Sequence, residues 1–177
     1  MTEQENFVRS GIGIDIHKFS NKKLENNFIK IGGIDIDFPR KIIAHSDGDV
    51  VIHAIIDALL GAMAKGDIGE YFPDNDLKWK DVDSSLMLLE IKRLLTKNYY
   101  KIVNIDLTII CEEPKISNHK VKIKEKLTKI LEIDLDQINI KALDEKIDAM
   151  AMSDSTEDVR EVLFKAVAYV HKRYRSS

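Results

Sequence analysis

Residues 44–76 read AHSDGDVVIHAIIDALLGAMAKGDIGEYFPDND, and the rest of the fold is expected to be arranged around them. The middle of this stretch, about residues 47–65, predicts a helix whose valines, isoleucines, leucines and alanines occupy nearly every side. A helix with no solvated face belongs inside a domain. We therefore expect this helix at the centre of the core, with other elements packed against it.

Three polar residues interrupt the apolar surface of this helix. Asp49, His53 and Asp57 are four residues apart and so share one face. A buried charge is costly unless it is paired, hydrogen-bonded or bound to a metal, which predicts that this face lines a site. Two simpler interpretations stay open: His53 as a hydrogen-bonded core residue, and Asp49 as an acid favoured by the dipole of the first helical turn.

Short polar loops flank the helix on both sides. Residues 45–48 (HSDG) precede it, and residues 66–69 (GDIG) and 72–74 (FPD) follow it. Glycines beside acids and a histidine are typical of a compact ligand pocket.

Upstream, residues 11–17 (GIGIDIH) alternate strictly, which predicts a strand. The isoleucines face one way, and the glycines, Asp15 and His17 face the other. With His53, this strand offers one carboxylate and two imidazoles. Three protein ligands with an open fourth position are typical of a catalytic zinc, and Asp49 or Asp57 could orient His53 through its second ring nitrogen.

The remaining pattern predicts a single α+β domain over residues 1–177, a sandwich of a mainly β sheet covered by helices, with residues 1–10 as a flexible N-terminus. The expected elements are a hairpin over 28–38 turning at Gly32 and Gly33, a helix over 84–97 capped by Asp83 or Ser84, a strand over 101–111, a helix over 118–131, a strand over 137–142, and a last helix from Ser155 or Thr156 to about Tyr174.

Composition excludes several classes of protein. The formal net charge of −3 gives no electrostatic footprint for nucleic acid. The chain has no stretch of apolar residues long enough for a membrane span, and its first residues lack the apolar core of a signal peptide. Cys111 is the only cysteine, so no intramolecular disulfide is possible. The expected location is the cytoplasm.

The loops around the helix indicate the kind of substrate. An anionic oxygen is the natural fourth ligand of such a metal, and His45 and Ser46 place donors near a helix N-terminus, where phosphates are favoured. Asp67, Asp74 and Asp76 suit hydroxyls or a second divalent cation. The chemistry of these residues predicts a metal enzyme acting on a phosphorylated polyol.

In order along the chain, GIDIHKF, IKIGGIDI, AHSDGDVVIHAIIDALLGAMAKGDIGEYFPDND, DSS and EEPKI resemble the 2-C-methyl-D-erythritol 2,4-cyclodiphosphate synthase family, over about residues 11–142. The resemblance implies conversion of 4-diphosphocytidyl-2-C-methyl-D-erythritol 2-phosphate to the cyclodiphosphate, with release of CMP, in isoprenoid precursor biosynthesis. It also implies an α+β homotrimer whose active sites lie between subunits.

The resemblance further implies the role of each site residue. Zinc is held by Asp15, His17 and His53, and magnesium or manganese bridges the substrate diphosphate. The catalytic residues are His45, which stabilises the transition state, and Glu145, which meets the second metal. The substrate-binding residues implied are Asp15, His17, His45, Ser46, Asp67, Ile68, Gly69, Phe72, Pro73, Asp74, Asn75, Asp76, Cys111, Pro114, Lys115 and Ile116. The last four match the loop, residues 111–117, that holds the cytidine in the family.

Residues 143–154 (LDEKIDAMAMSD) depart from the family pattern. The family's threonine run and Gly-Phe-Thr-Gly-Arg segment are absent after Lys141 and Ala142. Ser153, Ser155 and Thr156 could supply a hydroxyl or cap the last helix. Two other functions stay open: a zinc-containing trimeric binding protein of the same fold with impaired catalysis, and a zinc phosphatase in which water attacks.

Overall fold

The computed structural model describes residues 7–73, 75–80, 82–143 and 161–172, the last range by its backbone alone. The strands are β1 (Val8–Lys23), β2 (Phe28–Ile31), β3 (Ile34–Asp37), β4 (Arg40–Ile43), β5 (Tyr100–Ile110), β6 (Ile138–Leu143) and β7 (Glu161–Lys172). The helices are α1 (Val50–Met63), α2 (Ile68–Tyr71), α3 (Ser84–Lys97) and α4 (Lys120–Leu131). Short 3₁₀ helices cover Leu77–Trp79, Ile116–His119 and Leu135–Gln137.

A five-stranded sheet in the order β4-β1-β7-β5-β6 forms the framework of this single mixed α/β domain. Its pairs are antiparallel except for β5 and β6, which run parallel. The strands β2 and β3 form a separate hairpin. The helix α1 packs on β1 and β7, α3 packs on β5, and α4 packs on β6, so the helices and the sheet share one apolar core.

The central position of α1 is confirmed. Its apolar residues are all buried, as the absence of a solvated face predicts. Two glycines of β1 permit the close approach of strand and helix. A Cβ on Gly11 would lie 2.0 Å from the carbonyl oxygen of Ala58, and one on Gly13 would lie 2.0 Å from that of Ala54. The glycine face of β1 is therefore its inner face, and the isoleucines between the glycines lie outside.

The N-terminus of α1 is tied to the hairpin by Asp49, which is fully buried. Its carboxylate accepts the backbone N–H groups of Gly32 at 2.8 Å, Gly33 at 2.6 Å and Ile52 at 3.1 Å. Both turn glycines have positive φ, 61° and 78°, as the predicted turn requires. The hairpin and the N-terminal cap of α1 are thus joined in one hydrogen-bonded unit.

The structure corrects several predicted elements. The predicted last helix is wrong over residues 161–172, which form β7; its proposed start at Ser155 or Thr156 and its end at Tyr174 lie outside the described residues. The strand β7 pairs with β1 on one side and β5 on the other, and this pairing outweighs the local helical pattern. The helix α1 is shorter than predicted, and β4 and α2 were not predicted.

Within the described part of the chain, no helix combines the length and the hydropathy needed to cross a membrane.

Candidate metal centre and substrate pocket

The structure brings Asp15, His17 and His53 together. Asp15 and His17 project from the inner face of β1, and His53 projects from α1, which packs against that face. The Oδ2 atom of Asp15 lies 3.1 Å from Nε2 of His17 and 3.0 Å from Nδ1 of His53. The two imidazole nitrogens are 3.4 Å apart. One ligand atom from each of the three residues therefore faces a common point.

The spacing of these atoms fits a small divalent metal ion. Zinc binds nitrogen and carboxylate oxygen at about 2.0–2.2 Å, and tetrahedral ligands at that distance are separated by roughly 3.3–3.6 Å. The observed separations of 3.0, 3.1 and 3.4 Å are slightly below or within this range. The side chains are mostly but not completely buried, so an ion held there keeps a face toward the pocket.

The pKa values of Asp15 and His53 are both shifted within the cluster. Burial disfavours the charged form of Asp15, but its hydrogen bonds to His17 and His53 and their charges outweigh burial and hold the pKa of Asp15 well below its usual range. Burial likewise disfavours a charged His53, yet the hydrogen bond and the charge of Asp15 prevail and raise the pKa of this imidazole. The carboxylate is thus ionised near neutral pH, as a metal ligand must be.

The second ring nitrogen of His53 does not contact either aspartate of its own helix, and the predicted role of Asp49 or Asp57 in orienting the ring is wrong. Asp49 binds the hairpin turn, and Asp57 accepts the backbone N–H of Ile68 at 2.8 Å. Burial raises the pKa of both carboxyls. Residues four apart share a helix face, but the carboxylates of Asp49 and Asp57 are hydrogen-bonded to backbone N–H groups of neighbouring segments and not to His53.

The Nε2 atom of His53 faces two serine hydroxyls instead. The Oγ atom of Ser84 lies at 3.0 Å and that of Ser46 at 3.2 Å. Ser84 is fully buried, and its Oγ lies 2.5 Å from Oδ1 of Asp47. Its backbone N–H donates to Oδ2 of the same carboxylate at 3.0 Å. His53 is therefore joined to the first turn of α3.

A pocket of about 450 Å³ opens beside the three ligand residues. It is lined by Asp15, His17, Ala44, His45, Ser46, His53, Ile68, Gly69, Phe72, Asp76, Leu77, Trp79, Lys80 and Met87. The ring of Phe72 meets the ring of Trp79 edge to face, with centroids 4.7 Å apart. The lining thus combines the polar ligand cluster with aromatic and aliphatic side chains.

Several predicted substrate-binding residues lie in this pocket and others do not. His45, Ser46, Ile68, Gly69, Phe72 and Asp76 line it. Asp67 instead caps α2 by accepting the N–H of Glu70 at 3.1 Å, and Pro73 and Asn75 are outside the lining. Cys111, Pro114, Lys115 and Ile116 are also absent from the lining of this pocket. Asp74 and Glu145, and residues 144–154 of the divergent segment, lie outside the described residues.

Sequence reasoning missed several residues of the site. The sequence indicates Ser84 only as a possible helix cap within the DSS motif, and Asp47 only as part of the segment that leads into the central helix. Their contact joins residues 37 positions apart, and no spacing rule connects them. Leu77, Trp79 and Lys80 follow directly after the FPDND segment, so proximity in sequence was the available signal for them.

Comparisons with known proteins agree on one family. The YgbB family model matches residues 8–163. A protein of Francisella philomiragia named 2-C-methyl-D-erythritol 2,4-cyclodiphosphate synthase is 51% identical over 134 residues, which cover 76% of this chain and 82% of that one. A protein of the same name from Anaplasma phagocytophilum is 47% identical over 135 residues, which cover 76% of this chain and 80% of that one. The solved Plasmodium falciparum IspF in complex with CDP superposes with a TM-score of 0.75 at 29% identity, covering 97% of this chain and all of that one.

Proposed function

This chain belongs to the YgbB family, and from that membership we propose that it converts 4-diphosphocytidyl-2-C-methyl-D-erythritol 2-phosphate to 2-C-methyl-D-erythritol 2,4-cyclodiphosphate with release of CMP. In this reaction an oxygen of the 2-phosphate attacks the β-phosphorus, the bond from the β-phosphorus to the bridging oxygen of the diphosphate breaks, and CMP leaves with that oxygen. A cyclic diphosphate remains. The protein's task is therefore to place two phosphates against each other and to neutralise their charge.

The observation that carries the proposal is the position of the ligand cluster in the pocket wall. Asp15, His17 and His53 converge within 3.4 Å of one another, beside His45 and Ser46. The cluster fits a divalent ion, and we propose zinc because two imidazoles and one carboxylate are typical ligands of catalytic zinc. An ion held there supplies positive charge next to the phosphate oxygens of the substrate.

The other site residues bind different parts of the substrate. His45 and Ser46 contact phosphate, and His45 stabilises the transition state. Ile68, Gly69, Phe72 and Asp76 in the pocket, with the neighbouring Asp67, Pro73, Asp74 and Asn75, hold the methylerythritol part. Glu145 would hold a magnesium or manganese ion, which would neutralise charge on the diphosphate of the substrate. This last assignment rests on sequence resemblance alone.

We propose that the cytidine is bound by a second copy of the chain, in a homotrimer of layered α+β subunits. Two observations support this. The predicted cytidine residues Cys111, Pro114, Lys115 and Ile116 do not line the pocket that holds the ligand cluster. The outer face of β1 also exposes a row of isoleucines, which a partner subunit would cover. A cytoplasmic location and a single domain over residues 1–177 stay predictions from the sequence.

The reaction is tested by measuring CMP release from the diphosphocytidyl substrate with magnesium present. We expect stoichiometric CMP and cyclodiphosphate. Removing the tightly bound metal with a chelator should abolish the release, and adding zinc back should restore it. Binding of substrate without any CMP formation would favour the binding protein, and free inorganic phosphate would favour the phosphatase. The relatives support neither alternative.

The metal site has its own test, in the variant His53→Ala. Without the imidazole of α1, two of the three ligands remain, and we expect the purified variant to contain little zinc while keeping its fold. Metal analysis and circular dichroism measure these two properties separately. Stoichiometric zinc in this variant would exclude the proposed ligand set.

A further inference from the structure

We propose that Ser84 and Asp47 are positioning residues that hold His53 with its Nδ1 lone pair directed at the metal. This inference rests on the proposed metal site and adds the groups that set the tautomer and the orientation of one ligand. It starts from the contacts of Ser84, whose hydroxyl lies 2.5 Å from Asp47 and 3.0 Å from His53.

The direction of these hydrogen bonds follows from the donors available. An ionised carboxylate only accepts, so the hydroxyl proton of Ser84 is donated to Oδ1 of Asp47. The Oγ atom of Ser84 then has lone pairs but no proton left for His53. The contact at 3.0 Å is a hydrogen bond only if Nε2 of His53 carries the proton. A neutral His53 protonated on Nε2 has its lone pair on Nδ1, the atom that faces Asp15 at 3.0 Å.

This tautomer is the one that metal binding needs. Two lone-pair atoms, Nδ1 of His53 and Oδ2 of Asp15, point at each other across 3.0 Å and repel unless a proton or a cation lies between them. A metal-ligating histidine commonly donates its other N–H to a carboxylate or another acceptor, which fixes the ring. Here the serine hydroxyl connects the imidazole to the carboxylate.

The carboxylate at the far end is rigidly held. Asp47 accepts the N–H of Ser84 at 3.0 Å and the N–H of Asp49 at 3.2 Å, in addition to the serine hydroxyl. Ser84 is fully buried and begins α3, so it cannot turn its hydroxyl toward solvent. With the proton on Nε2, His53 can also donate to Oγ of Ser46 at 3.2 Å, but this Oγ is not hydrogen-bonded to Asp47.

The variant Ser84→Ala tests the proposal because it removes the hydroxyl and leaves the backbone N–H of residue 84 to bind Asp47. We expect zinc affinity, measured by competition with a chromophoric chelator, to fall about 10–100-fold. With cobalt in the site, the visible absorption should change because the ring of His53 is no longer held. Ser84→Thr keeps a hydroxyl and should restore most of the affinity.

The neighbouring serine provides a matched control. Ser85 also lies in the first turn of α3, but its Oγ is hydrogen-bonded to neither His53 nor Asp47. Ser85→Ala should therefore leave zinc affinity and the cobalt spectrum unchanged. If Ser84 only stabilised α3, Ser84→Ala would lower the melting temperature but leave both metal readouts as in the parent, and the proposal would be overturned.

A measurement on the parent protein needs no variant. In the zinc-loaded protein, the Nε2 proton of His53 should give a downfield NMR signal that exchanges slowly with water and shows a nuclear Overhauser effect to Ser84. Zinc binding without such a proton would overturn the positioning role alone. Failure of the parent to bind zinc at all would overturn the metal site on which the role depends.

Discussion

At the scale of single residues, the position of His45 in the pocket leads us to expect that it affects the rate of the reaction. It lines the pocket next to Ser46, shortly before the N-terminus of α1. An imidazole near neutral pH can donate a hydrogen bond in either protonation state. A donor directed at charge that grows in the transition state affects turnover more than substrate affinity.

We therefore expect His45→Ala to lose most CMP release while it binds substrate within a modest factor of the parent. Loss of one such donor typically lowers the rate by about a hundredfold or more. Single-turnover measurements and equilibrium binding of substrate separate the two effects. The variant should keep its zinc and its oligomeric state because His45 is not one of the ligands. A nearly parental rate would reassign His45 to packing at the entrance of the helix.

At the scale of elements, the site depends on how closely β1 approaches α1. Gly13 lies two residues before Asp15, and a methyl group there would lie 2.0 Å from the carbonyl oxygen of Ala54 and 2.7 Å from the backbone nitrogen of Ala58. Backbone atoms cannot give way as a flexible side chain does, so the strand and the helix would have to separate. The distance between Asp15 and His53 would then increase.

We expect Gly13→Ala to lower the free energy of unfolding by about 2 kcal/mol or more, as overpacking of a core does, and to weaken zinc binding. Denaturant unfolding and chelator competition measure the two effects. Gly61→Ala on α1 is the control, since its added methyl would lie 3.9 Å from the nearest atoms. Alanine is favoured over glycine within a helix by about 1 kcal/mol, so this variant should be as stable as the parent or more stable. Equal destabilisation by both would contradict the close-approach explanation.

These elements also show what the sequence can and cannot predict. The alternation of residues 11–17 and the apolar residues on nearly every side of α1 predict the two elements, and the pairing of Asp15 and His17 with His53 follows from their chemistry. The link from His53 through Ser84 to Asp47 depends on where α3 begins relative to α1, which only tertiary packing decides. Similarly, β7 is a strand because β1 and β5 each pair with one of its edges.

At the scale of the whole molecule, the outer face of β1 is the surface that the proposed trimer has to cover. Ile12, Ile14 and Ile16 are 59%, 54% and 49% exposed on one face of a segment that pairs with β7 along one edge, while β4 pairs with β1 only over Lys18–Lys23. An exposed apolar row of this kind is typical of a subunit interface.

We expect the parent to sediment as a trimer at micromolar concentration and Ile12→Lys to shift it toward the monomer, because a lysine in an apolar interface core is desolvated without a partner. Val121→Lys is the control, since Val121 is 70% exposed on α4 and leaves the outer face of β1 intact. Because Ile12 points away from α1, Ile12→Lys should keep the zinc site of the single chain. Its CMP release should nevertheless fall with its degree of dissociation, and recover at high protein concentration, if a second subunit supplies the cytidine contacts. A monomeric parent that turns over at full rate would show that one chain holds the complete site.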